Sequence, residues 1–257
     1  MVRHRLLAAG AVMAIVVAAC SQGASPSASQ APATEAPATQ APATEAPSAT
    51  VAPSETAAAG TPKEGGTFVV AIPGDLNRTD PALVDDANST YVLQQIMETL
   101  VTLKPGTGGE IIPSLATEWS ISPDGLQYTF KIRDGVKFHD GTDLNAEAVK
   151  VNFDRWMNIP QSYVDLGYTY YIDTVITPAI TSVTAPDAST VVVTLKDPNS
   201  AFLIQLTLTP FAISSPKALE EGNASAPDFA NNKYATGGPP AAVGTGPFMF
   251  KECYCRV

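Results

Sequence analysis

A long low-complexity segment near the start of the chain decides where a fold can form. Residues 21–62 are almost entirely Ala, Pro, Thr, Ser and Glu, and the stretch from Ala31 to Pro37 is nearly repeated. Such a composition buries too little apolar surface to offset the entropy of ordering its backbone. We therefore predict a disordered spacer here and place the globular part at residues 63–252.

The residues before the spacer have the layout of an export signal. Arg3 and Arg5 precede an uncharged apolar run over residues 6–19, which is too short to span a bilayer as a helix. The small residues directly before Cys20 resemble the lipobox of bacterial lipoproteins. The resemblance implies a signal peptide at residues 1–19 and a lipidated Cys20, which would anchor the protein to the outer face of the cell membrane. The alternative is an ordinary signal peptide followed by a cysteine of the core.

The charge of the chain restricts its partners. The sequence has 25 acidic and 15 basic residues and a formal net charge of −10, and only three of the acids and two of the bases precede Lys63. An acidic chain without a basic run is repelled by phosphate backbones, so we expect no nucleic-acid partner. Cys253 and Cys255 form no recognisable disulfide framework or metal motif, so we expect no metal and no cofactor.

Hydrophobic periodicity predicts both strands and helices in the globular part. Alternating apolar residues indicate strands, and apolar residues three or four positions apart indicate helices. Strands are predicted at residues 67–72, on both sides of a turn at 122–125, at 136–138, at 180–184 and at 190–195. Helices are predicted at residues 89–101, capped by Ser89, and between Asn145, as its cap, and Pro160. Local hairpins beside helices favour a mixed α+β fold.

Four segments together resemble the bacterial extracellular solute-binding proteins of family 5, the peptide- and nickel-binding class. They occur in the order typical of that family: residues 79–82 with 95–101, residues 112–125, residues 128–142 and residues 243–248. The resemblance implies an α/β clamshell, like that of periplasmic binding proteins, which closes on a solute without performing chemistry. It also implies a monomer that delivers the solute to the permease and ATPase subunits of an ABC importer.

The resemblance covers the first lobe of such a clamshell, with its inserted antiparallel hairpins. Residues 63–252 correspond to this lobe, and residues 253–257 depart from the family pattern. We therefore expect a truncated or frameshifted chain in which the second lobe is absent.

Asp85, Asp86 and Ala87 are the candidate ligand-binding residues that the resemblance implies. In the family, the corresponding stretch lines the cleft and presents backbone groups to an extended ligand. The alternative is a solvated acidic loop that caps the following helix.

Other side chains have a structural interpretation beside the functional one. His139 is a candidate ligand or base, but we expect it to bond local backbone in a turn. Glu98 could bind a cation, or it could be a hydrogen-bonded structural group. Gly244 and Gly246 are expected to supply strained backbone where a side chain would clash. Four tyrosines could stack on a ligand, or they could belong to an ordinary loop that packs on the lobe: Tyr163, Tyr168, Tyr170 and Tyr171.

These observations predict capture of dipeptides or oligopeptides for an ABC importer. Nickel, opines and oligosaccharides are alternative ligands, because related proteins of the family serve importers for them. The alternative function is that of a truncated surface lipoprotein with an interaction role or no transport role. Residues 63–257 contain no nucleophile elbow, phosphate-binding glycine loop, metal-binding histidine spacing or paired-carboxylate signature, so we do not expect an enzyme.

Overall fold

The structure, a computed structural model, describes residues 65–252 of the chain. This part contains six short strands and five α-helices. The strands are β1 (Val101–Leu103), β2 (Ile111–Pro113), β3 (Ala116–Ile121), β4 (Gln127–Ile132), β5 (Ile180–Asp187) and β6 (Thr190–Leu195). The helices are α1 (Ala87–Ile96), α2 (Ala146–Met157), α3 (Gln161–Asp165), α4 (Phe202–Gln205) and α5 (Pro216–Glu221). Short 3₁₀ turns lie at Pro81–Leu83, Thr209–Phe211 and Phe229–Asn231, and a π-helical turn lies at Ile172–Ile176. The predicted mixture of α and β structure is confirmed.

Two sequence-local hairpins join to form the central sheet. Its strand order is β3-β4-β6-β5, every neighbouring pair is antiparallel, and β1 and β2 form a separate two-stranded ladder. Tyr128 lies opposite Val193, and Phe130 lies opposite Val191. These four side chains are buried on one face, as the alternation of apolar residues predicts.

Helix α2 covers the buried face of this sheet. The Asn145 side chain caps the helix by accepting a hydrogen bond from the Ala148 amide at 2.8 Å, as predicted. Val149, Phe153 and Trp156 follow at helical spacing and are buried with the sheet residues in the main hydrophobic core.

Three details of the sequence prediction are wrong. Residues 67–72 form no strand and remain exposed, because no strand among residues 65–252 pairs with them. Residues 136–138 form only one isolated bridge, between Lys137 and Asp143. They cannot pair with β4, because β3 and β6 already occupy its two edges. The cap of α1 is Asp86 rather than Ser89, so the helix begins two residues earlier than expected, and it ends at Ile96 instead of Val101, which begins β1.

Helix α1 packs on a second, smaller core. Leu93, Ile96 and Met97 contribute to this cluster together with Ala218 and Leu219 of α5. Within residues 65–252, no helix has both the length and the hydrophobicity that crossing a bilayer requires.

Candidate functional site

The amino end of α1 holds the three candidate binding residues. Asp85 lies in the loop before the helix, Asp86 is its cap, and Ala87 is its first residue. The Asp85 carboxylate accepts a hydrogen bond from Arg78 Nη1 at 3.2 Å. Asp85 and Ala87 are exposed and Asp86 is half-buried, so the loop presents one ion-paired acid and one small side chain to solvent.

Asp86 stabilises the start of α1 as a carboxylate. Its Oδ1 accepts a hydrogen bond from the Ser89 amide at 2.9 Å. Burial raises the pKa of this carboxyl group, but hydrogen bonding to Ser89, the nearby polar Asn77 and the charge of Arg78 together lower it below the ordinary 3.8. The capping role that the sequence left open for Asp86 is therefore present in the structure.

A polar cleft opens at the other end of α1. Its volume is about 490 Å³, within the usual range for small-ligand sites. The cleft is formed by the end of α1, the two-stranded ladder, the 3₁₀ turn at Thr209–Phe211 and one proline near the carboxyl end. Its lining residues are Gln94, Gln95, Met97, Glu98, Thr99, Thr102, Ser114, Thr207, Thr209, Ala212 and Pro247.

The lining of this polar cleft offers mainly uncharged hydrogen-bonding groups. Gln94 Nε2 donates to Thr209 Oγ1 at 3.1 Å, and this bond joins the helix to the facing turn. Among the lining residues Glu98 alone is ionisable, and its Oε2 accepts a hydrogen bond from Thr245 Oγ1 at 2.8 Å. Amides and hydroxyls can each donate and accept, so the cleft suits a ligand rich in neutral polar groups such as peptide units.

Residues 243–248 (the carboxyl-terminal segment) lie against the end of α1. The Gly246 amide donates to the Ile96 carbonyl at 2.9 Å, and the Phe248 amide donates to the Gln95 carbonyl at 3.1 Å. A Cβ on Gly246 would lie 2.7 Å from the Ile96 carbonyl carbon. The predicted clash is confirmed, but the predicted strain is wrong, because neither Gly244 nor Gly246 has a positive φ.

His139 also holds this segment. Its Nε2 lies 2.8 Å from the Gly246 carbonyl oxygen, and its amide donates to the Gly244 carbonyl at 2.9 Å. The histidine is therefore structural, as expected, but it bonds backbone 107 residues away rather than local backbone.

The four tyrosines do not form one surface. Tyr163 is fully buried, whereas Tyr170 is exposed and its ring packs against Tyr171. Tyr168 lies under the Arg78 guanidinium, whose central carbon is 3.7 Å from the ring centroid. Arg78 therefore joins Tyr168 to the Asp85 loop, and the ring face beneath the guanidinium is already used by cation–π packing.

Sequence reasoning missed the residues of the polar cleft. Asp85, Asp86 and Ala87 do not line it, and Ala87 lies seven residues before Gln94, about 10 Å along α1. The cleft brings residues 94–99 together with residues 207–212 and 247. These segments are far apart in the sequence, so no local sequence pattern predicts that they meet. A weak signal was present in the sequence, since Gln94, Gln95 and Glu98 fall on the polar side of the predicted helix.

Comparison with known proteins identifies what this arrangement resembles. The pattern of the bacterial extracellular solute-binding proteins, family 5 (middle region), matches residues 110–254. The glutathione-binding protein GsiB of Escherichia coli O1:K1 is 38% identical over 153 residues, which are 60% of this chain and 28% of GsiB. GsiB of Escherichia coli K12 is 37% identical over the same share of each chain.

Solved structures show the same similarity. The periplasmic binding protein DppA from Helicobacter pylori, in complex with the peptide STSA, has a TM-score of 0.57 and 33% identity over 69% of this chain. NikA from Brucella suis, in complex with Fe(III)-EDTA, has a TM-score of 0.54 and 26% identity over 71% of this chain. The aligned parts are 36% of DppA and 33% of NikA, so this chain spans about a third of their length. GsiB and DppA are named as binding proteins, which agrees with the expectation that this chain is not an enzyme.

Proposed function

The chain belongs to the bacterial extracellular solute-binding proteins, family 5, and we propose that it captures dipeptides or oligopeptides outside the cell for an ABC importer. The observation that carries the proposal is the polar cleft of about 490 Å³ at the end of α1. Five of its lining residues fall inside the region matched by the family pattern: Ser114, Thr207, Thr209, Ala212 and Pro247.

The chemistry of the cleft supports a peptide as the solute. Its amide and hydroxyl side chains complement the alternating N–H and C=O groups of an extended peptide backbone. Asp85, Asp86 and Ala87, at the amino end of α1, extend the proposed binding surface beyond the cleft. Two of the related proteins support the same class, since one is named for glutathione and another was solved with a tetrapeptide.

Thermal unfolding of the full chain tests this function. We expect glutathione or the peptide Ser-Thr-Ser-Ala to raise the midpoint, because a ligand at a hundredfold excess over its Kd stabilises the native state by about 2.7 kcal/mol. Replacement of both Gln94 and Gln95 by Ala should reduce the shift, since it removes two amides from the cleft. Gln161→Ala is the matched control, because that exposed amide binds Asp165 in α3.

The same experiment separates the two functions considered for this chain. A shift that depends on the cleft supports solute capture. No shift with either peptide would reject it and would favour the surface lipoprotein with an interaction role or no transport role.

We also propose that the mature protein begins at a lipidated Cys20 and is a monomer tethered by residues 21–62. The small residues before Cys20 and the extracellular family support this placement. Residues 63–252 are then the solute-binding part, which would pass its ligand to permease and ATPase subunits. Labelling with radioactive palmitate in a bacterial host should mark the wild-type chain and not Cys20→Ser. Equal labelling of both would reject lipidation at this residue.

A further inference from the structure

Helix α1 presents a continuous exposed stripe between the two parts of the proposed binding surface. Its buried side holds Ser89, Leu93 and Ile96. On the opposite side the exposed residues Ala87, Tyr91, Gln94 and Gln95 follow one another at spacings of three and four. Residues three or four apart on a helix are neighbours, so this stripe runs from the Asp85 loop to the polar cleft.

Tyr91 is the aromatic residue of this stripe. It is 55% exposed, although large aromatic side chains are usually more buried than this. It lies three and four residues before Gln94 and Gln95, so the helix places it one turn before the cleft, and its backbone carbonyl accepts a 3.5 Å hydrogen bond from Gln95 Nε2. Long side chains on helices lean toward the amino end, so the amides of Gln94 and Gln95 lean toward Tyr91, whose own ring lies over the turn that begins at Ala87.

The stripe and the cleft differ in the chemistry that they offer a ligand. The cleft side chains that neighbour Tyr91 on the helix are the uncharged amides of Gln94 and Gln95. They suit peptide backbone but give little apolar surface to a side chain. The ring of Tyr91 supplies a flat apolar face directly next to them.

We propose that Tyr91 is a specificity-determining residue that stacks on an aromatic or apolar side chain of the bound peptide. This inference rests on the proposed function, since it names which peptides the same surface prefers. The cleft holds the peptide backbone, and the Tyr91 ring contacts the adjacent side chain of the peptide. Pairing of two aromatic rings is expected to strengthen binding about three- to tenfold.

Calorimetric titration of the full chain with two tripeptides tests the inference. Wild type should bind Gly-Phe-Gly about three- to tenfold more tightly than Gly-Gly-Gly. Tyr91→Ala should bring this ratio close to one while leaving the affinity for Gly-Gly-Gly within about twofold, and Tyr91→Phe should keep the wild-type ratio. Tyr170→Ala is the control, because Tyr170 is similarly exposed, at 61%, and packs on Tyr171 outside the stripe.

The outcomes distinguish this inference from the function on which it rests. If wild type binds both tripeptides and Tyr91→Ala keeps the preference for Gly-Phe-Gly, the inference fails and the proposed function stands. It also fails if Tyr91→Ala weakens both tripeptides equally, or if Tyr170→Ala abolishes the preference. If wild type binds neither tripeptide, the inference fails, and the unfolding shift with glutathione or Ser-Thr-Ser-Ala decides the proposed function.

Discussion

The ion pair between Asp80 and Arg155 joins parts of the chain that are far apart in sequence. Arg155 Nη1 donates to Asp80 Oδ1 at 3.2 Å, Nη2 donates to Oδ2, and Nη2 also donates to the Ala224 carbonyl at 3.1 Å. Both side chains are buried. A pair of this kind is costly to break on one side, because the remaining charge stays buried without compensation.

We predict that Asp80→Asn lowers the free energy of unfolding by about 3–5 kcal/mol. Asn keeps the side-chain oxygen that accepts a hydrogen bond from the Ala82 amide, so the loss of stability measures the effect of removing the charge. Glu110→Gln breaks the exposed pair with Lys104 and should change stability by less than about 1 kcal/mol. Urea unfolding measures both variants, and similar losses in the two would contradict the role assigned to burial.

Asp86 should make part of the stability depend on acid pH. Because its pKa is lowered by folding, its contribution is complete above the ordinary value of 3.8 and is lost as pH falls through the lower folded value. Asp86→Asn keeps a capping oxygen but cannot titrate. We therefore predict that, between pH 5 and pH 2, wild type loses more stability than this variant, as measured by urea unfolding at each pH. Parallel pH profiles would show that Asp86 is not responsible.

At the scale of elements, the close approach of the carboxyl-terminal segment to α1 requires glycine. The three atoms nearest to a Cβ on Gly246 would all be backbone atoms of Gln95 and Ile96, which cannot move aside as a flexible side chain can. Gly246→Ala should therefore destabilise the protein by about 1–3 kcal/mol in urea unfolding. Gly108→Ala is the matched control and should be nearly neutral, since no atom lies within 4 Å of its added Cβ. A neutral Gly246→Ala would mean that the segment does not pack as described.

The exposed segment at residues 67–72 gives a second test at this scale. Val69 is 83% exposed, whereas Val191, the second residue of β6, is fully buried. Val191→Thr places a hydroxyl group in the core and should cost about 1–3 kcal/mol. Val69→Thr should change the thermal midpoint by less than one degree, because its side chain stays in water. A large loss from Val69→Thr would show that this segment is paired in solution.

The elements that could be predicted from the sequence are those that local patterns determine. The β3–β4 and β5–β6 hairpins and the Asn145-capped helix α2 each follow from neighbouring residues. The pairing of β4 with β6 could not be predicted, because it joins strands that lie more than 55 residues apart. The same limit explains the wrong strand at residues 67–72, since a strand needs a partner that its own sequence does not specify.

At the scale of the molecule, the proposed site depends on contacts between distant segments. The three candidate residues Asp85, Asp86 and Ala87 occupy one end of α1, and their part in binding stays a prediction. The polar cleft at the other end forms only when residues 207–212 and Pro247 fold against the helix. Sequence similarity could therefore identify the family, whereas the position of the cleft required the folded chain.

Chemical-shift mapping of the ¹⁵N-labelled full chain during titration with Ser-Thr-Ser-Ala tests the central claim, that this chain holds a peptide along α1. The account predicts saturable shifts at the amides of Gln94, Gln95, Glu98 and Thr209, with smaller shifts at Ala87 and Tyr91. Unchanged spectra, or saturable shifts confined to the groove between α2 and α5 that Val151 and Lys217 line, would contradict it.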